Sequence, residues 1–299
     1  MQPSTAESIL VWGVALFAFA SVSSWRLLAR RKRSGQPLVD SRPREPVPWN
    51  AVDVLLVFAL YAALSLFAAR LGLSLAGVEL TGESKTELAD LEPQQAATIV
   101  LAGSAGSLLS MLLAGLLLRW RAGASLADLG LATDGLVHDV KWGVVAFFGI
   151  TPAVYALQWA LVRFVKESAH PLVELLERST EVPLLLAALL AAVVVAPLVE
   201  EFLFRVVLQG WMERQTAGSE PPVARRGIRY WIRNPVVGSS FVFALMHLGH
   251  GPDPIPLFFL ALVLGYLYQQ THRMWASTTV HFCNNACSLI LFLLALQSS

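Results

Sequence analysis

Charge is what this sequence has least of. Only 14% of its 299 residues are Asp, Glu, Lys or Arg, against about 25% in an ordinary soluble domain. With 56% hydrophobic residues, the chain reads as one polytopic membrane unit rather than a string of soluble domains. Its formal net charge of +1 offers no electrostatic footprint for nucleic acid, and no nucleic-acid partner is expected. Cysteine is nearly absent. Cys283 and Cys287 lie four apart on one predicted helix face and are expected as small apolar filling. No Cys-x-x-Cys pair or disulfide framework is present. His-Glu-x-x-His, Gly-x-Ser-x-Gly and a phosphate loop are also missing, which removes the usual zincin, serine-hydrolase and nucleotide signatures. There is no paired-aspartate intramembrane motif, no internal repeat and no low-complexity tract.

What is present is long apolar runs. Spans of roughly 20 residues cross a bilayer, and about eight candidates occur, at 8–29, 50–71, 96–118, 138–163, 183–211, 235–249, 255–270 and 275–296. The fold class is therefore all-α, a polytopic membrane helix bundle. Pro152, Pro183 and Pro197 mark helix starts or kinks. The first run has no Lys or Arg before it and Arg30-Arg31-Lys32-Arg33 after it. That order fits an uncleaved anchor rather than a signal peptide. Odd-numbered loops carry the basic residues, among them Arg42, Arg44, Arg119, Arg121, Arg214, Arg225 and Arg273. The second and fourth loops are acidic, with Glu79, Glu83, Glu87, Asp90, Glu92, Glu167, Glu174, Glu177 and Glu181. Basic loops favour the cytoplasm, so both termini are expected outside. Residues 34–48 read as a Pro-rich polar linker, 168–181 as an interfacial helix, and 215–234 as a loop against anionic head groups.

Glu200, Glu201 and Arg205 interrupt the fifth run. Ionised groups there cost about 2.5–3.5 kcal/mol each, so three within six residues demand a use. On an α-helix Glu201 and Arg205 are about 40° apart and can pair, whereas Glu200 and Arg205 are about 140° apart. Arg205 can neutralise Glu201 but not easily Glu200, which leaves Glu200 as a candidate general base. The plain alternative is an ion pair that locks two helices. His281 and Asn285 share another face at i,i+4. Both can donate to one point, as an oxyanion site requires. The histidine could instead ligate a metal, or the pair could simply bond between helices. His247 follows Phe243 by four residues at a predicted helix end, a weak signal alone. His138, His170, His250 and His272 read as solvated.

These three clusters, in this order on late helices, resemble the CAAX prenyl protease and bacteriocin-processing family, whose members are similar to the type II CAAX endopeptidase. The pattern is Glu-Glu-x-x-x-Arg (Glu200 to Arg205), Phe-x-x-x-His (Phe243 to His247) and His-x-x-x-Asn (His281 to Asn285). Val206 stands where many members have Gly, leaving every polar group in place. The resemblance covers about 183–296 and divides the chain into N-terminal membrane helices of unassigned role (1–182) and a protease-like catalytic core (183–296). It implies an intramembrane endopeptidase acting on a peptide or lipidated protein substrate. Glu200 with His247 would activate water, His281 and Asn285 would hold the oxyanion, and Glu201, Arg205 and Phe243 would support them. No cofactor is favoured. Zinc is the alternative, with Glu200, His247 and His281 as ligands. A non-catalytic membrane peptide-binding or immunity protein, or a proton-coupled transporter, remains the non-proteolytic reading. The expected location is a bacterial plasma membrane.

Overall fold

A computed structural model describes residues 5–43, 45–78, 91–164, 171–217, 234–249 and 251–298. Among these the chain is all helical. We number the helices α1 (Thr5–Arg33), α2 (Ala51–Leu75), α3 (Pro93–Ala122), α4 (Leu136–Leu161), α5 (Pro171–Arg178), α6 (Val182–Thr216), α7 (Pro235–Leu245), α8 (Pro254–Thr271) and α9 (Trp275–Ser298). Each of the eight expected apolar runs is a helix. Six helices, α1 to α4, α6 and α9, are long and apolar enough to cross a membrane. Helices α7 and α8 are shorter, with 11 and 18 residues. At about 1.5 Å per residue, α7 reaches only about half of a hydrocarbon core of roughly 30 Å. α8 is instead a core element, with Leu260, Ala261, Leu264 and Tyr268 wholly buried. The acidic stretch from Glu79 to Asp90, Glu167, His170, His250, Arg44 and most of the 215–234 loop lie outside the described residues.

The helices begin where the sequence supplies caps. The Asn50 side chain accepts from Val52 and Asp53 backbone N–H groups, while Asp53 accepts from the Asn50 N–H, a reciprocal box that opens α2. Asp53 also receives Arg121 Nε at 2.7 Å, tying the start of α2 to the end of α3. Asn234 caps α7 in the same way, followed by Pro235 at its first position. Apolar side chains face outward along the long helices, including Leu16, Phe19, Leu55, Leu66, Phe67 and Leu112. With no water-compatible surface there, the chain is an integral membrane protein. Trp120 and Trp159 are exposed near the ends of α3 and α4, and Arg163 lies 3.7 Å over the Trp159 ring, as interfacial anchors do. Helix α4 crosses α9 closely at Gly143, where an added Cβ would lie 2.7 Å from Ala276 O. That contact fixes the helix that carries His281.

Residues 34–43 and 45–48 are not a free linker. They form a strap that docks on the helix ends. Val39, Val47 and Trp49 are buried, because these sparse apolar side chains find clefts in the bundle. Prolines, lacking an N–H, leave few backbone donors to satisfy along the way. Arg42 N–H donates to Gln270 O, and its guanidinium meets Asp134 at 2.9 Å. Hydrogen bonding from Arg42 holds the Asp134 carboxyl below the ordinary carboxylate range. This tether therefore persists above the unfolded pKa and is lost as pH falls through the lowered one. Nearby, Arg273 is bidentate on the buried Asp139 at 2.5 and 2.6 Å. Two histidines expected to be solvated are engaged instead. His138 accepts from Trp142 Nε1 at 3.0 Å, and His272 closes α8 in the left-handed region with φ 50°. Helix α5 buries Leu175 and Leu176 against α3 and α6, so it is braced on protein as well as amphipathic. Cys283 and Cys287 are free and pack beside the core between α4, α8 and α9.

Trp49 is the strap's anchor. Its indole N–H donates to Val207 O at 3.0 Å with no solvent exposure. Trp49→Ala should cost about 3–5 kcal/mol, read as a lowered unfolding midpoint in detergent, with Trp49→Phe costing less. An unchanged midpoint for the alanine variant would mean that the strap is not docked.

Candidate active site

The site is built on an irregular helix. Within α6, Leu190–Val195 and Glu201–Gln209 are π-helical, with a short α turn, Ala196–Glu200, between them. Widened turns of this kind recur at functional sites. Here the cause is legible. Ala196 N–H bonds to Ala191 O, five residues back. The next bond in that register would come from residue 197, which is Pro197 and has no N–H. Ala192 O is thus left without its backbone donor. Asn285 Nδ2 from α9 fills the vacancy at 2.9 Å. The second π segment is braced from the strap, where the Trp49 indole N–H donates to Val207 O alongside Gly210 N–H. The uniform 100° step of a straight α-helix therefore does not apply from Leu190 to Gln209, although Glu201 and Arg205 still meet.

Arg205 and Glu201 are both fully buried, with Arg205 Nε 3.4 Å from Glu201 Oε2. Among the described residues these two atoms have no hydrogen-bond partner, so the contact is a meeting of charges rather than a directed bond. Arg205 Nη1 donates to Ser239 Oγ at 3.3 Å, and its guanidinium carbon lies 5.2 Å from the Phe243 ring centre. The other Glu201 oxygen, Oε1, accepts from His281 Nδ1 at 3.0 Å. His281 Nε2 then faces Glu200 Oε2 at 3.7 Å. The two adjacent carboxylates end in different surroundings. Glu201 is sealed, whereas the Glu200 side chain keeps 25% exposure and lines a cavity.

Phe243 joins the remaining groups. Its ring lies 5.9 Å from the His281 ring and 4.7 Å from the His247 ring. His247 Nδ1 is 2.8 Å from Phe243 O. A carbonyl only accepts, so Nδ1 carries the proton and Nε2 is the uncommitted nitrogen. The sequence pairing of Glu200 with His247 is not what the structure brings into contact. Both residues are described, no ion pair links them, and His281 is the imidazole at Glu200. Asn285 is directed at the Ala192 carbonyl, leaving its second amide N–H as the one for any other acceptor. Val206 is wholly buried against Gly130.

Sequence reasoning missed the polar column behind Arg205. Ser239 Oγ donates to Gln209 Oε1 at 3.0 Å, and Gln209 Nε2 donates to Gly265 O at 2.8 Å. Helical spacing would have found both, since Gln209 follows Arg205 by four and Ser239 precedes Phe243 by four. Among the described residues no three His, Cys, Asp or Glu side chains gather as a set for a metal ion, and Glu200, His247 and His281 do not form one as placed.

Residues 182–287, about a third of the chain, match the family described as type II CAAX prenyl endopeptidase Rce1-like. The matched segment begins at the first residue of α6 and ends inside α9, so it takes in all three polar clusters. Comparison with curated proteins and with solved structures gives no match.

If Asn285 holds the broken helix, Asn285→Ala leaves Ala192 O unsatisfied and should destabilise the protein by about 1–3 kcal/mol. Detergent unfolding curves check this. A variant as stable as wild type would assign the carboxamide no structural part.

Proposed function

We propose that this chain is an intramembrane endopeptidase of the glutamate type, hydrolysing a peptide bond of a membrane-associated substrate. The observation that carries the reading is the unequal setting of the two glutamates. Glu201 is committed to Arg205 and His281, while Glu200 stays partly exposed on a cavity. In the reaction, Glu200 takes a proton from a water whose oxygen attacks the peptide carbonyl carbon. The carbonyl oxygen becomes an oxyanion and accepts from the free amide N–H of Asn285 and from His281 Nε2. His281 Nδ1–H is committed to Glu201, so Nε2 donates to the oxyanion when the imidazole carries both protons. His247, through its uncommitted Nε2, is the second group for the water or the leaving amine. Collapse breaks the C–N bond, and the proton returns to the amine. Basic loops on one side support both termini outside and a site that opens toward the cytoplasmic half of the bilayer.

The match of residues 182–287 to the Rce1-like CAAX prenyl endopeptidase family supports a peptide or prenylated substrate. Peptide-product mass spectrometry on purified protein tests the proposal, using lipidated and unlipidated peptides with and without a chelator. Wild type should yield two products in both chelator arms. Glu200→Gln should lower turnover at least about 10³-fold while keeping its unfolding midpoint. Cleavage at wild-type rate by Glu200→Gln would sink the assignment. Loss of cleavage with the chelator, restored by zinc, would favour the metalloprotease version.

A further inference from the structure

Glu200 lines a cavity of about 240 Å³. Half of its wall is α6, through residues such as Ala196 and Val199. The other half is Tyr61 from α2 with Val100, Gly103, Ser104 and Ser107 from α3. Both of those helices precede the 182–287 segment that the family match covers. Ligand sites that hold a whole small molecule run to about 300–1,000 Å³. This cavity is smaller and suits a side chain with its flanking backbone.

Gly103 gives the cavity its shape. Glycine inside a helix costs about 0.8–1.0 kcal/mol relative to alanine. On the same helix Gly106 has a packing reason, since a Cβ there would collide with Ala68 of α2. A Cβ on Gly103 would meet nothing within 4 Å. The helix therefore gives up a side chain where no neighbour requires it, on the wall beside Glu200. The polar groups nearby are unspent as well. Ser104 Oγ donates to Val100 O at 2.8 Å, whereas the Tyr61 and Ser107 hydroxyls make no hydrogen bond among the described residues. Two free hydroxyls and one carboxylate on a wall whose remaining hydroxyl, Ser104, is bonded within its own helix match a peptide backbone whose side chain is apolar.

We propose that this cavity receives the apolar side chain next to the scissile bond, that the Tyr61 and Ser107 hydroxyls hold the adjoining peptide backbone, and that Gly103 sets the largest side chain admitted. The assignment rests on the endopeptidase reading. It makes the N-terminal helices α2 and α3 the selectivity wall of the site.

The test is a peptide series differing only in that side chain, from Ala through Val and Leu to Phe, given to purified wild type and Gly103→Leu, with Glu200→Gln as the blank. Open space at Gly103 and a gain in helix propensity make Gly103→Leu at least as heat-stable as wild type, and Gly103→Ala serves should it not fold. The expected result is a loss of kcat/KM of about tenfold or more on the Leu and Phe peptides, carried in KM, with the Ala peptide cleaved within about twofold of wild type. An equal effect on every peptide, or none, overturns the pocket assignment while leaving Glu200-dependent proteolysis intact. No cleavage by wild type above the Glu200→Gln blank overturns the endopeptidase reading and the pocket with it.

Discussion

Arg205 has no water to face. Its side chain is wholly buried, and taking a guanidinium out of water costs several kcal/mol even after relaxation. Everything around it follows from that cost. Glu201 supplies the countercharge from the same helix, Ser239 an acceptor from α7, and Phe243 a ring face. His281 of α9 closes the far side of Glu201. One buried cation thus fixes three helices relative to one another, and it does so by consuming Glu201. Glu200 is left beside it without an Arg or Lys ion pair among the described residues, facing His281 and lining a cavity.

The broken helix serves the same end. A regular α6 would satisfy its own carbonyls and need nothing from α9 or from the strap. Pro197 frees the Ala192 carbonyl, which Asn285 takes up, and Trp49 adds its indole N–H to the Val207 carbonyl that also accepts from Gly210 N–H. Because the donors come from distant parts of the chain, the irregularity becomes a set of cross-braces around Glu200. In a membrane, where no water reaches a freed carbonyl, such braces matter more than in a soluble bundle.

Much of this was legible in the amino-acid order. Eight apolar runs became eight helices because their length and composition leave no other structure in lipid. Glu201 and Arg205 were paired from spacing, and their contact tolerates a change from α to π turns. The residues left unread share a cause. The Glu200–His281 contact joins positions 81 apart in the chain, and no periodicity reports on the relative height of two helices. The imidazole in contact with Glu200 is accordingly His281, where the spacing had offered His247. Tyr61, Gly103 and Ser107 belong to no motif, and only the packing of α2 and α3 against α6 brings them to Glu200. The strap was misread because composition sees four prolines from Pro37 to Pro48 and not the buried side chains of Val39, Val47 and Trp49.

The account turns on whether Glu201 and Arg205 act as one unit. A double-mutant cycle of Glu201→Gln and Arg205→Met, read as unfolding free energy in detergent, measures it directly. Each single change should cost about 3–5 kcal/mol, because it strands a buried charge. The double variant should cost less than the sum by at least about 2 kcal/mol. Costs that add within about 0.5 kcal/mol would contradict the coupling, and with it the reason Glu200 stands free.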